Sequence, residues 1–285
     1  MTEENFFIAG KAGKLAARIK APANGGSQLV VLVQGANISG QLGYDLQVPG
    51  HADYSFMDAL VERGYATLTF SLRGYYESEL AGDPHGVQTE QAIEDLQSVL
   101  VWASDQGWGK PHLLGWSWGG RIVGRFVERF PDAIDRLVLL DPALGGGQLI
   151  PFPGKEPYWQ NTYEYFYNRL EAEFTHEDVR IAVATQASEK ELNSPNGIRV
   201  ENEQGSIPVD PARITRPTLM IYGAAAGGQA YMHGAADRGA FLERIPNMDK
   251  ALVIVPGGGD YAHIQNPRRQ IFRIVADFLG WGTQP

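Results

Sequence analysis

Six short apolar runs, each closed by a turn signal and separated from the next by a longer stretch, constrain this chain more than any other feature. Leu29–Val33 ends at Gly35, Tyr65–Phe70 follows Gly64, and His112–Leu114 leads into Gly115. Leu137–Leu140, Thr218–Tyr222 and Leu252–Val255 complete the set, the last closed by Pro256 and three glycines. Continuous apolar runs of this length, rich in Val, Ile and Leu, read as strands buried on both faces. Helical patterns lie between them. Phe56, Leu60 and Val61 share one face, and Ala92, Leu96, Leu100 and Val101 form a stripe over Thr89–Ala103. Ile122, Val123, Phe126 and Val127 repeat the pattern until Pro131 stops it, and Ile271, Ile274, Val275, Phe278 and Leu279 form the last helix. Strands alternating with helices predict an α/β fold, a mostly parallel sheet covered on both faces. Phe6–Ile8 and Leu15–Ile19 predict a hairpin added at one edge.

The rhythm breaks between Leu144 and Arg213. No strand-like run of comparable strength occurs there; aromatic residues (Tyr158, Trp159, Tyr163, Tyr165, Phe166 and Tyr167) precede acidic helical sequence through Gln186. The expected division is a sheet domain made of 1–143 and 214–285, interrupted by a helical cap over 144–213. The cap aromatics serve either ordinary packing or an apolar wall over a substrate pocket.

Composition narrows the function classes. With 44% hydrophobic and 20% charged residues, the 285-residue chain has material for an ordinary core. The 34 glycines follow no collagen-like period, so they mark turns between many elements. A formal charge of −9 argues against nucleic acid and anionic membranes as partners. Zero cysteines exclude a thiolate metal site and a cysteine nucleophile. The acidic start, Met1-Thr2-Glu3-Glu4-Asn5, lacks the profile of a secretory signal, and no run reaches the ~18 apolar residues of a membrane span. The expectation is a cytoplasmic protein acting on a small molecule, with no cofactor, no metal-ligand spacing and no dinucleotide fingerprint. The oligomeric state is not legible.

The sharpest chemical signal is Gly115-Trp116-Ser117-Trp118-Gly119, placed between a predicted strand and a predicted helix. A serine on so tight a turn sits at strained backbone angles, and glycines two positions either side remove the collisions side chains would cause. The helix N-terminus behind it favours developing negative charge. With this motif in place the chain resembles an α/β-hydrolase carrying a cap, over nearly its whole length.

That resemblance implies an eight-stranded, mostly parallel sheet with Ser117 as nucleophile after the fifth strand. It implies an oxyanion hole from the backbone amides of Trp118 and Ala36, the latter after Gln34-Gly35, where relatives carry His-Gly. It places the base in the loop after the last strand, Gly257 to Pro267, whose only histidine is His263. In many relatives the base lies seven residues before the loop proline, and here that residue is Asp260. So either the loop is re-spaced to present His263, or the base is replaced. His233 is the nearest competitor; His112 reads as core, His51 and His85 as loop residues, and His176 as part of the cap. The triad acid is absent after Thr218–Tyr222, where Gly223-Ala224-Ala225-Ala226 carries no carboxylate. Asp141, ending the preceding strand as in haloalkane-dehalogenase-like relatives, is the candidate, against a reading as a turn cap; Asp260 and Asp237 stand further out. Arg73-Gly74-Tyr75-Tyr76-Glu77-Ser78 resembles a family turn in which Tyr76 replaces a glycine.

The predicted chemistry is an acyl-enzyme route. Ser117 attacks a carbonyl, His263 takes its proton oriented by Asp141, and water releases the acid. A serine at the elbow disfavours epoxide and haloalkane chemistry, which use a carboxylate nucleophile. Trp116, Tyr158, Trp159 and Tyr163 are the expected substrate contacts, pointing to an ester, thioester or lactone with an apolar part. The same constellation also serves acyl transfer, C–C cleavage or cyclisation, and a fold relative without turnover would bind a small molecule.

Overall fold

Each of the six apolar runs forms a strand. In the computed structural model, which describes residues 1–24, 28–147, 149–226 and 235–282, they are β3 (Leu29–Val33), β4 (Ala66–Phe70), β5 (His112–Trp116), β6 (Leu137–Leu140), β9 (Thr218–Gly223) and β10 (Lys250–Val255). The predicted hairpin is β1 (Thr2–Gly10) with β2 (Gly13–Ala21), and the short strands β7 (Tyr158–Gln160) and β8 (Asn193–Pro195) lie apart. One eight-stranded sheet runs in the order β1-β2-β4-β3-β5-β6-β9-β10. The β1–β2 and β2–β4 pairs are antiparallel; every pair from β4 onward is parallel.

Parallel neighbours need crossovers, and these supply the covering helices. They are α1 (Gly40–Tyr44), α2 (Phe56–Val61), α3 (Thr89–Asp105), α4 (Trp118–Arg129) and α8 (Ala235–Arg244), and α9 (Arg268–Leu279) is added after the last strand. Strand alternation divides the apolar side chains between two cores. Val30 and Leu32 join Phe56, Met57 and Leu60 of α2 and Ile271, Val275 and Phe278 of α9. Leu29, Val31 and Val33 face Ile93, Leu96 and Val99 of α3 and Ile122, Val123 and Phe126 of α4 on the other side.

Two element-level expectations need correction. On α3 the buried stripe is Ala92, Ile93, Leu96, Val99 and Ala103, whereas Val101 is 61% exposed. The helix turns about 100° per residue, so consecutive Leu100 and Val101 cannot both face the sheet with Leu96 and Val99. The second concerns residues 144–213. They contain α5 (Tyr163–Arg169), α6 (Glu177–Lys190) and α7 (Gly197–Gln204), but also the antiparallel ribbon of β7 with β8. Three-residue strands, one ending in Pro195, carry too little periodicity to be read from sequence.

This insert is tied to the sheet domain by polar contacts. The Glu191 carboxylate accepts hydrogen bonds from the Ser39 amide at 2.6 Å and the Ser39 hydroxyl at 2.5 Å. Asn161 donates to the Asn37 carbonyl at 2.6 Å. Among the described residues, no helix is long and apolar enough to cross a membrane.

Candidate active site

β5 delivers Gly115 and Trp116 to the carboxyl end of the sheet, and α4 begins at Trp118. Between them Ser117 has φ 53° and ψ −117°, a left-handed conformation costly for a side-chain-bearing residue. The cost is borne because neighbouring backbone fixes the turn. Ser117 donates its amide to the Leu140 carbonyl at 3.0 Å and accepts from the Ala143 amide at 2.8 Å. The glycines are required by contact: a Cβ on Gly115 would lie 2.3 Å from the Gly119 carbonyl oxygen, and one on Gly119 would lie 2.3 Å from that of Val33. Even an alanine at either position would force the turn open.

The serine faces a cavity of about 1060 Å³. Ala36, Trp116, Trp118 and Asp141 share its wall with Tyr158 and Trp159 from the insert. As the first residue of α4, Trp118 has an amide with no acceptor one turn back in the helix, as an oxyanion donor requires. Ala36 follows the carboxyl end of β3, and its own carbonyl is taken by the Tyr75 hydroxyl at 2.8 Å. The glutamine beside it is turned inward: the Gln34 side-chain oxygen accepts from the Leu72 amide at 3.0 Å. A glutamine at position 34 thus leaves the Ala36 backbone in place.

Tyr163 is not part of the wall. It is 42% exposed and stacks on Tyr167, centroids 5.7 Å apart, on the outer side of α5. Tyr165, one half-turn further, lines the cavity instead and accepts from Asn37 Nδ2 at 3.1 Å. Sequence reading missed the polar half of the cavity, which includes Asn37, Arg121, Arg169 and Arg199. Arg199 lies 4.2 Å above the Trp159 ring and donates to Asn37 Oδ1 at 2.9 Å. These residues come from separate elements, and no linear motif joins them.

The structure does not bring His263 to Ser117. His263 occupies a 3₁₀ turn, Ala262–Ile264, that points its ring into the core. It packs against Trp116 with centroids 4.6 Å apart and against Tyr44 at 5.9 Å. Fully buried, with no hydrogen-bond partner at either ring nitrogen, it is joined to neither Ser117 nor Asp141. Burial pushes its pKa down to about 3; the nearby Gly43 backbone favours the protonated ring but forms no hydrogen bond of good geometry with it. The imidazole is therefore neutral, and it lies outside the cavity wall.

Asp260 stands at the cavity instead. Its carboxylate pairs with Arg169 of α5, and its carbonyl accepts the Trp116 indole N–H at 2.8 Å. The loop is held in this course rather than re-spaced. The Gly259 amide donates to the Gln265 side chain at 2.7 Å, and Gln265 in turn donates to Glu171 and Thr175 at 2.8 and 3.1 Å.

Asp141 ends β6 as expected, buried, with a left-handed φ of 39°. One carboxyl oxygen accepts the Gly223 amide at 3.0 Å; the other is buried with no hydrogen-bond partner. Burial holds its pKa well above the ordinary carboxylate range, the Gly223 amide opposes this, and the charge of Asp260 adds to it. Of the alternatives, His112 is a core residue whose burial pushes its pKa down to about 4, and Asp237 is exposed on α8. His233 lies outside the described residues.

A strained serine between a parallel strand and a helix, at the carboxyl edge of an eight-stranded sheet, defines an α/β-hydrolase. The chain belongs to the alpha/beta hydrolase fold family, whose pattern matches residues 29–203. Among curated proteins it is similar to epoxide hydrolase 3 of Xenopus tropicalis, at 21% identity over 76% of this chain and 64% of that one. The chain thus spans just under two thirds of that relative. Among solved structures it is similar to a serine hydrolase, CCSP0084, from the polyaromatic-hydrocarbon-degrading bacterium Cycloclasticus zankles (TM-score 0.72, 16% identity, 99% of this chain and all of that one). A thermophilic esterase from Thermogutta terrifontis is a further neighbour (TM-score 0.69, 18% identity, 97% and 98% covered).

Proposed function

We propose that this chain is an acyl-transferring serine hydrolase, and that its substrate is a small to medium carboxylic ester or thioester with an aromatic or apolar body. The observation that carries this reading is Ser117 itself, held at φ 53° at the mouth of α4 and facing the cavity. Nothing in ordinary packing calls for a left-handed serine there; presenting a nucleophile does. In this reading the amides of Ala36 and Trp118 receive the oxyanion, residues 144–213 act as a cap, and Trp116, Tyr158, Trp159 and Tyr165 contact the apolar part. The serine hydrolase and esterase among the structural neighbours agree with it. A serine at the elbow sets it apart from the carboxylate-nucleophile chemistry of epoxide hydrolases.

The proton acceptor differs from the family pattern. With His263 in the core, the proton acceptor in this reading is Asp260, which lines the cavity with Ser117 as Asp141 and Glu156 also do. A carboxylate is a weaker base than imidazole, and general-base assistance is worth roughly 10²–10⁴ in rate. Such a site suits acyl donors that need little help, with a thiolate or phenolate as leaving group, and serves unactivated alkyl esters poorly.

The same replacement favours a second reading, a hydrolase-fold protein that binds its small molecule without hydrolysing it or turns it over by another reaction. A fluorophosphonate probe with p-nitrophenyl acetate separates the two. Stoichiometric labelling with a burst of p-nitrophenol, both abolished in Ser117→Ala, is the expected result. An unlabelled wild type, or equal labelling of the variant, overturns the acyl-enzyme.

A further inference from the structure

Away from the cavity, the fold brings one metal-capable side chain against two others that lie far from it in sequence. His51 belongs to the loop between α1 and α2 of the sheet domain, whereas His176 and Asp178 sit at the start of α6 in the insert. His51 Nε2 is 3.1 Å from Asp178 Oδ2, and His176 Nδ1 is 3.6 Å from the same oxygen. All three ligand atoms fall within 4.8 Å of one another. Ligands around a tetrahedral zinc ion, with bonds of about 2.0–2.1 Å, are about 3.3 Å apart, so a small contraction gives the required triangle.

We propose that His51, His176 and Asp178 bind one Zn²⁺ ion, which staples the insert to the sheet domain. Two imidazoles and one carboxylate are borderline ligands suited to zinc rather than to calcium or magnesium, which take all-oxygen shells. The side chains are 28%, 55% and 55% exposed, so water reaches the fourth position. Neighbouring charges do not repel the cation outright. Arg268 and Arg269 are both engaged by Asp53, each at 2.6 Å, and Arg180 is engaged by Glu177 at 2.8 Å. Binding displaces two contacts: a long capping bond from the Asp178 amide to His176 Nδ1, at 3.3 Å, and the 3.1 Å contact of His51 Nε2 with Asp178 Oδ2, both of whose atoms become ligands. None of the three side chains lines the cavity, so the site is separate from Ser117 and independent of the reading given to it.

Equilibrium dialysis of the full chain, carrying no histidine tag, against micromolar Zn²⁺ tests this together with thermal melts. One zinc per chain is expected, with a Tm several degrees higher that EDTA returns to the metal-free value. Ser117→Ala should bind zinc unchanged. Asp178→Asn and the His51→Ala/His176→Ala pair should lose both binding and the Tm shift while keeping the metal-free melt of the wild type. If the double variant folds poorly, His51→Gln alone must show the same loss. Wild type without stoichiometric zinc, or variants that bind as it does, overturns the proposal.

Discussion

Asp260 lies seven residues before Pro267 and lines the cavity that Ser117 faces, and its neighbours show what a carboxylate does to the site. Asp141 keeps one buried oxygen without a partner and lines a cavity it shares with Ser117 and Asp260. Leaving such an oxygen unpaired costs about 1–3 kcal/mol, and an imidazole N–H would satisfy it. Asp260→His therefore supplies both a base for Ser117 and a donor for Asp141. The expected outcome is at least a roughly tenfold rise in kcat/KM on an unactivated alkyl ester, set against the ~10²–10⁴ that general-base assistance provides. An unchanged or lower rate would show that position 260 cannot serve the serine. Asp260→Asn should act in the opposite direction, slowing the labelling of Ser117.

Elements were more legible than single residues, because a strand or helix averages over many side chains. The six apolar runs and the edge hairpin could be read from period and turn residues, and so could the elbow, whose glycines answer to collisions a few ångströms away. His263 could not be placed that way. Its position depends on whether three residues coil as a 3₁₀ turn, a choice made by Gln265 reaching Glu171 and Thr175 in another segment. Tyr163 is a related case: only contact with the sheet domain decides which face of α5 looks inward. On α3 the distinction between neighbours is testable by stability. Val99 is fully buried, and Val99→Ala should cost about 2 kcal/mol. Val101→Ala, at a position 61% exposed, should change stability by no more than about 0.5 kcal/mol. Urea titration of the two variants checks the assignment, and equal losses would refute it.

Across the whole molecule, one carboxyl group in the joint between insert and sheet domain ties its stability to pH. Burial raises the pKa of Glu191 from 4.5 to about 7, against the hydrogen bonds from Ser39 and the charge of Lys190, which lower it. Between those two values the folded chain keeps a proton that the unfolded chain has lost, so this group's contribution to stability falls as pH rises from 4.5 to 7. Glu191→Gln removes the dependence. Relative to that variant, the wild type should lose up to about 3 kcal/mol over the window, at about 1.4 kcal/mol per pH unit. Parallel urea titrations at pH 5, 6 and 7 measure the difference, and parallel curves would contradict it. The same insert separates β6 from β9, adjacent strands whose register pairs Leu137 with Thr218. In polymer terms the chain must close a detour running from 141 to 217 before that pairing can form. Closure entropy grows only with the logarithm of length, so this detour costs about 1 kcal/mol more than the crossover from 117 to 136 that joins β5 to β6. Lengthening, shortening or exchanging the segment is correspondingly cheap for the sheet. The wall that selects the ligand can thus diverge rapidly while the frame beneath it stays the same.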